Sequence, residues 1–323
     1  MGNNNDPGNK YSHFGNKDWF EGTRVVSRLV RSRSPIVYVF AVTSLLTFLI
    51  ASEGMVPDFS VLVRLVASSY LVALATYFYN DLTDYKTDKA NKRDVLYSGD
   101  ENSYRKDVSY RAILYCTVVC FTVSAIMAFS IGIMTGVMSV VFAILAVAYS
   151  HPKTHLKDMF VIKTVVTAAG GFVMSMMGFF AANASSVYDI SLEMMSFPVM
   201  ISSAVAFLFY FVLGPLGDIG DLYGDKKGGR KTIPIVIGVK KTFLLMYFIV
   251  GIIGTMLVLS YLLVGINIVG MVLGIATIGV VIFQIRKVSD KHQFKQKIKT
   301  ARMTLRYSVF AIQGSLLVGV LFV

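Results

Sequence analysis

The chain has 323 residues, of which 55% are hydrophobic and only 15% charged, with a formal net charge of +12 and a mean hydropathy of +0.63. A soluble domain carries about 25% charged residues, so a water-facing globule of this size is excluded, and the surface must be solvated by lipid. The surplus of base then describes a face held against anionic lipid rather than a nucleic-acid interface.

The opening segment, residues 1–34, is polar and basic, with many Asn and Gly. It reads as a cytoplasmic segment that begins as a tail and ends as an interfacial helix around Val25–Arg31, and Asp6 stands where a myristoylation motif would need Ser or Thr. Residues 35–323 then form one transmembrane domain. Apolar blocks fall near Ile36–Ala51, Phe59–Tyr79, Arg111–Ile131, Gly132–Tyr149, Val161–Ala182, Ser196–Leu216, Thr242–Val264, Ile266–Ile285 and Met303–Val323. Blocks of about 17 to 25 apolar residues match a bilayer crossing. They are too long for strands and lack the alternation of a barrel, so the fold class is all-α, a polytopic bundle of nine transmembrane helices. The third and fourth blocks nearly abut, as do the seventh and eighth, with Gly132 or Gly136 and Gly265 as turn material.

Charge placement sets the orientation. Of 31 basic residues, 27 fall in the N-terminal segment or in the alternate loops that share its side, and only Arg64, Arg111, Lys163 and Arg306 lie within or at the ends of spans. The loops of opposite parity carry Glu53, Asp58, Asp189 and Glu193 and no base. By the positive-inside rule the N-terminus is cytoplasmic and the C-terminus external, in a multi-pass protein of the cell membrane.

Cys116 and Cys120, four apart on the third span, share a helix face and read as structural thiols. His151 and His155 have the same spacing, but Pro152 intervenes and no third ligand accompanies them. The carboxylates carry more. The second span leaves the membrane through Asn80-Asp81-Leu82-Thr83-Asp84-Tyr85-Lys86-Thr87-Asp88, and the sixth through Asp218-Ile219-Gly220-Asp221-Leu222-Tyr223-Gly224-Asp225. Both read D-x-x-D-x-x-x-D, and offsets of three and seven keep the acids on one helix face. A single acid run is usually a solvated helix end. Two identical triplets at a membrane boundary concentrate like charge at a cost that needs a cation. Oxygen donors alone, with the Asn80 amide beside them, suit Mg²⁺, which is typically held by carboxylates together with substrate phosphates. Lys and Arg beside these acids point to a metal-bridged diphosphate.

These residues resemble the UbiA superfamily of intramembrane prenyltransferases. The first ladder is similar to one signature of that family. Asp218-x-x-Asp221-x-x-Gly224-Asp225-x-x-x-Gly229-x-x-Thr232-x-Pro234 is similar to the other, and Tyr149-Ser150-His151-Pro152-Lys153 to a third element, Tyr-x-x-x-Lys. The resemblance covers nearly the whole chain. It implies Mg²⁺ held by Asn80, Asp81, Asp84, Asp88, Asp218, Asp221 and Asp225, and an isoprenoid diphosphate, geranylgeranyl diphosphate by this likeness, whose leaving group is stabilised there. Lys153 and Arg93 would bind the diphosphate, and Asp84, Asp221 and Tyr149 would act in catalysis. The stretch from Gly224 to Lys241 is most similar to the archaeal branch that makes digeranylgeranylglyceryl phosphate, which implies geranylgeranylglyceryl phosphate as the lipophilic acceptor. Aromatic, quinone-type or carotenoid acceptors would use the same metal site. Three stretches depart from the family's pattern. They are Arg31-Ser32-Arg33-Ser34-Pro35 before the first span, Asn91 to Gly99 after the first ladder, and Gly214-Pro215-Leu216-Gly217, where a basic residue would be common. A CDP-alcohol phosphotransferase would need an Asp-Gly-x-x-Ala-Arg element that is missing after Asp84. A cation transporter would place its acids near the bilayer midplane rather than at helix ends.

Overall fold

Within hydrocarbon every backbone amide must find its partner in its own segment, and the described chain obeys this by being helical with no strand. The computed structural model describes residues 16–56, 58–90, 110–154, 156–184, 195–289 and 294–322. Among them are nine long helices: α1 (Asn16–Ala51), α2 (Phe59–Ala90), α3 (Tyr110–Phe129), α4 (Ile133–Ser150), α5 (Ile162–Ala182), α6 (Phe197–Lys227), α7 (Val239–Val264), α8 (Ile268–Ser289) and α9 (Phe294–Leu321). Single turns at Leu156–Asp158 and Ile233–Val236 interrupt the connections after α4 and α6. Seven helices are long and apolar enough to cross a membrane, while α1 and α3 contribute the shorter apolar stretches Ile36–Ala51 and Ile113–Phe129. Helix α1 runs without a break through Pro35, from the basic segment into the apolar one.

Local chemistry sets the helix ends. Asp58 starts α2, its Oδ1 accepting the Ser60 amide at 2.8 Å and its Oδ2 the Ser60 hydroxyl at 2.8 Å. Those two bonds hold its carboxyl below the usual range. Gly265 ends α7 with a φ of +75°, a conformation that suits glycine, and Asn267 Oδ1 accepts the Val269 amide at 2.8 Å to open α8. The turn between α3 and α4 uses Gly132, whereas Gly136 lies inside α4.

The helices pack in a ring. Each is against its chain neighbours, α9 returns to α6 and α1, and α5 packs on α1. Among the described residues α2 and α6 do not pack on each other, and a cavity lies between them. Lipid does not drive helices together as water does, so close approach and hydroxyl bonds matter more. A Cβ on Gly178 of α5 would meet the Ser44 carbonyl of α1, and one on Gly270 of α8 would meet the backbone of α9. Thr47 of α1 bonds Ser175 of α5 at 2.7 Å and Ser202 of α6 at 3.1 Å, and Gln313 of α9 donates to Ser202 at 3.0 Å. A second chain runs from Ser68 of α2 through Ser124 of α3 to Ser139 of α4, with both steps at 3.0 Å. The outward faces are apolar, as at Leu263, Phe248 and Phe283. Cys116 and Cys120 are free thiols, half-buried on α3.

These close approaches predict a contrast. Gly178→Leu should cost about 1–3 kcal/mol or more by overpacking the α1–α5 contact, and should lower the melting temperature in detergent. Gly251→Ala, with nothing within 4 Å of the added carbon, should leave it unchanged or slightly raised.

Candidate active-site cavity

Two lobes of about 210 and 240 Å³ open between α2 and α6. They share Phe40, Tyr77, Tyr149, Lys163 and Thr167, and so form one branched space. The first lobe adds Asn80, Ser150, Lys157 and Arg230. The second adds Tyr210, Asp218, Asp221, Arg302 and Arg306. Asn80 of the first ladder and Asp218 and Asp221 of the second thus line one branched space, near the ends of the apolar stretches of α2 and α6.

Most described ladder acids carry a cation. Asp81 of the first ladder is gripped through both oxygens by Arg33 of α1, whose Nε lies 3.0 Å from Oδ2 and whose Nη2 bonds Oδ1. Both side chains are buried, and the guanidinium stands 5.9 Å from the centre of the Tyr77 ring. In the second ladder, Lys163 of α5 pairs with Asp218 Oδ1. Val161, a β-branched residue at φ +62°, leads into α5 two positions earlier. Arg230 bridges Asp225 Oδ1 at 3.3 Å and Asp158 Oδ1 at 3.0 Å, and so ties the α4–α5 connection to the end of α6. Asp221 lines the second lobe half-buried. In the first lobe Ser150 donates to Asn80 Oδ1 at 3.0 Å, and the buried Lys157 reaches the Ser150 carbonyl at 3.5 Å.

Among the described residues no three His, Cys, Asp or Glu side chains stand close enough together to hold a metal. The fit to a hard cation rests instead on atoms left over. Asp218 Oδ2 and Asp225 Oδ2 are buried and have no hydrogen-bond partner among the described residues. A buried carboxylate oxygen without a partner is costly, and oxygen donors of this kind suit Mg²⁺. The side chains of Asp84 and Asp88, and all of Arg93, lie outside the described residues.

Tyr149 and Lys153 part company. Tyr149 lines both lobes, while the Lys153 side chain is exposed and its backbone amide donates to His151 Nδ1 at 3.1 Å. Among the described residues the cations that line the cavity are Lys157, Lys163, Arg230, Arg302 and Arg306. Two of these, Lys163 and Arg306, are basic residues inside or at the edge of apolar spans, and that is the signal by which sequence marks them. Arg302 stands where the α6 stretch Gly214 to Gly217 has no base of its own. Its guanidinium carbon lies 3.6 Å from where a Gly217 Cβ would be. Arg33 and Arg302 carry no local signal of their partners.

The buried Arg33–Asp81 pair predicts a stability effect. Arg33→Ala removes the guanidinium that holds both oxygens of the buried Asp81 and should cost up to about 3–5 kcal/mol, read as a drop in melting temperature in detergent. The double variant Arg33→Met, Asp81→Leu should recover much of that loss.

Comparison with known proteins places this cavity in context. The profile of the UbiA prenyltransferase family matches residues 40–308. A digeranylgeranylglyceryl phosphate synthase of Methanoculleus marisnigri is 28% identical over 220 residues, 67% of this chain and 71% of that protein. One of Pyrococcus furiosus is 27% identical over 200 residues, 62% of this chain and 65% of that protein, just under two thirds. A structure of a UbiA homolog from Archaeoglobus fulgidus bound to DMAPP and Mg²⁺ aligns with a TM-score of 0.62 at 16% identity, covering 89% of this chain and 99% of that one. A structure concerning digeranylgeranylglyceryl phosphate synthase in membranes aligns with a TM-score of 0.67 at 17% identity, over 94% of this chain and all of that one. At these identities the structural likeness speaks to fold.

Proposed function

We propose, from the premise that this chain belongs to the UbiA prenyltransferase family and is a multi-pass membrane prenyltransferase, that it transfers a geranylgeranyl group from its diphosphate to the free hydroxyl of geranylgeranylglyceryl phosphate. The observation that carries the reading is the branched cavity, lined by Asp218 and Asp221 of α6, by Asn80 and Tyr77 of α2 and, among the described residues, by five cations. The acceptor is supported by the relatives matched, which are named for that synthase.

Mg²⁺ would be held by Asn80, Asp84, Asp88, Asp221, Asp225 and the free oxygen of Asp218. Asp81 sits at the edge of that set, gripped by Arg33. When bound, the ion supplies Lewis-acid neutralisation of a departing diphosphate. The chain's own side chains do the rest. Lys157, Lys163 and Arg230 balance the diphosphate charge, the role for which Lys153 and Arg93 are the candidates by sequence. Tyr149, on the wall common to both lobes, presents its ring to the allylic carbon as the C1–O bond breaks and the electron pair leaves with the diphosphate. The acceptor oxygen forms the new bond to C1, and the Asp221 carboxylate takes its proton. The prenyl chain lies along the apolar wall formed by Phe40, Phe142 and Leu145.

All nine helices cross the bilayer in this reading, with residues 1–34 as a cytoplasmic basic segment and residues 35–323 as the catalytic unit. The N-terminus is inside and the C-terminus outside. The Lys/Arg asymmetry supports that orientation.

Purified protein with Mg²⁺, geranylgeranyl diphosphate and geranylgeranylglyceryl phosphate should form the diether and release diphosphate, and chelation by EDTA should stop it. Asp84→Ala and Asp225→Ala should each abolish turnover, measured as product by mass spectrometry. Full turnover in both variants contradicts the metal assignment. Turnover only with an aromatic acid or quinol precursor contradicts the acceptor.

A further inference from the structure

The two lobes differ in which charges they hold. Asn80 of the first ladder opens into the lobe with Lys157 and Arg230. Arg302 and Arg306 open into the other, beside Asp218 and Asp221. Helix α6 runs toward its ladder and α9 runs away from that end. The Arg302 guanidinium lies beside Gly217 and the Ile298 side chain beside Gly220, so the two helices run antiparallel and Arg306 joins α9 one turn, about 6 Å, deeper than Arg302. It is past the acids and shares its lobe with Tyr77 and Tyr210.

Among the described residues Arg306 makes no ion pair or hydrogen bond. It lies within the apolar stretch Lys297–Leu321. A guanidinium in such a position is costly unless an anion reaches it. The diphosphate needs donors from both ladders, which places it toward the ladder end of the cavity, near Lys157, Lys163 and Arg230. Arg306 is a turn beyond that place and is suited to a different anion.

We infer that Arg306, with Arg302 one turn away, forms an acceptor subsite that binds a phosphate monoester. The acceptor's free hydroxyl is thereby left at the wall shared by the two lobes, where C1 of the donor arrives. The planar fork of an arginine matches phosphate oxygens in pairs. This inference rests on the acceptor proposed above, and it names the residues that distinguish a phosphorylated amphiphile from a neutral one.

The test compares geranylgeranylglyceryl phosphate with geranylgeranylglycerol as acceptors for the full-length enzyme with Mg²⁺, and measures KM for donor and acceptor separately. Arg306→Gln should raise the acceptor KM about tenfold or more, leave the donor KM within about twofold, and erase the preference for the phosphorylated acceptor. Arg306→Lys should keep part of that preference. It carries the test if the glutamine variant fails to fold, with a smaller rise again confined to the acceptor. A rise in donor KM instead, or an unchanged phosphate preference, overturns the subsite while leaving the overall reaction standing. A wild-type enzyme that ignores geranylgeranylglyceryl phosphate and prenylates another acceptor overturns both.

Discussion

A carboxylate at the edge of a bilayer has neither water enough to solvate it nor hydrocarbon that will accept it, so a cation must. The architecture at the ladder ends follows from that requirement. Arg33 reaches Asp81 from α1, Lys163 reaches Asp218 from α5, and Arg230 reaches Asp225 from the connection after α6. Each pair links two elements, so neutralising the acids also fixes the ends of four helices and their connections around one cavity. Buried pairs add little net stability when complete and cost much when broken. Their value here is positional: they fix where these acids stand, while one oxygen each of Asp218 and Asp225 has no hydrogen-bond partner among the described residues.

Deeper in the bundle a different device sets the geometry. Helices α1, α5, α6 and α9 meet through Thr47, Ser175, Ser202 and Gln313, with Gly178 letting α5 approach the α1 backbone. Such bonds are worth about 0.6 kcal/mol on average in membranes, so they align the helices more than they bind them. The alignment matters because the cavity walls come from α1, α2, α4, α5, α6 and α9 together. A shift of one helix would move a cation away from its lobe.

The helical class, most of the spans and the placement of the ladders at helix ends are legible in the sequence, because hydropathy and the spacing of acids are local properties. Ile36–Ala51 and Ile113–Phe129 are the shorter apolar stretches, because their helices continue into polar residues such as Arg33 and Arg111. Pairing is not local. Nothing near Asp81 announces Arg33, 48 positions away, nor does Gly217 announce Arg302. Lys153 and Lys157 illustrate the limit well. Both lie in one connection, and periodicity ends at Pro152, so only the short turn Leu156–Asp158 decides that Lys157 is the lysine buried in the cavity. Lys163 and Arg306 were visible as base within apolar spans, yet their lobes were not.

The central claim is that two ladders far apart in the chain serve one metal–diphosphate site. Its most direct test replaces Mg²⁺ with Mn²⁺ and uses a thiolo analogue of geranylgeranyl diphosphate, reading the ³¹P hyperfine coupling of the bound ion. The account predicts that coupling in the wild-type protein and its loss on Asp84→Asn and on Asp221→Asn alike, since each removes a donor from the same site. Coupling that persists in either variant at wild-type strength would mean that one ladder holds the ion alone, and would contradict the account.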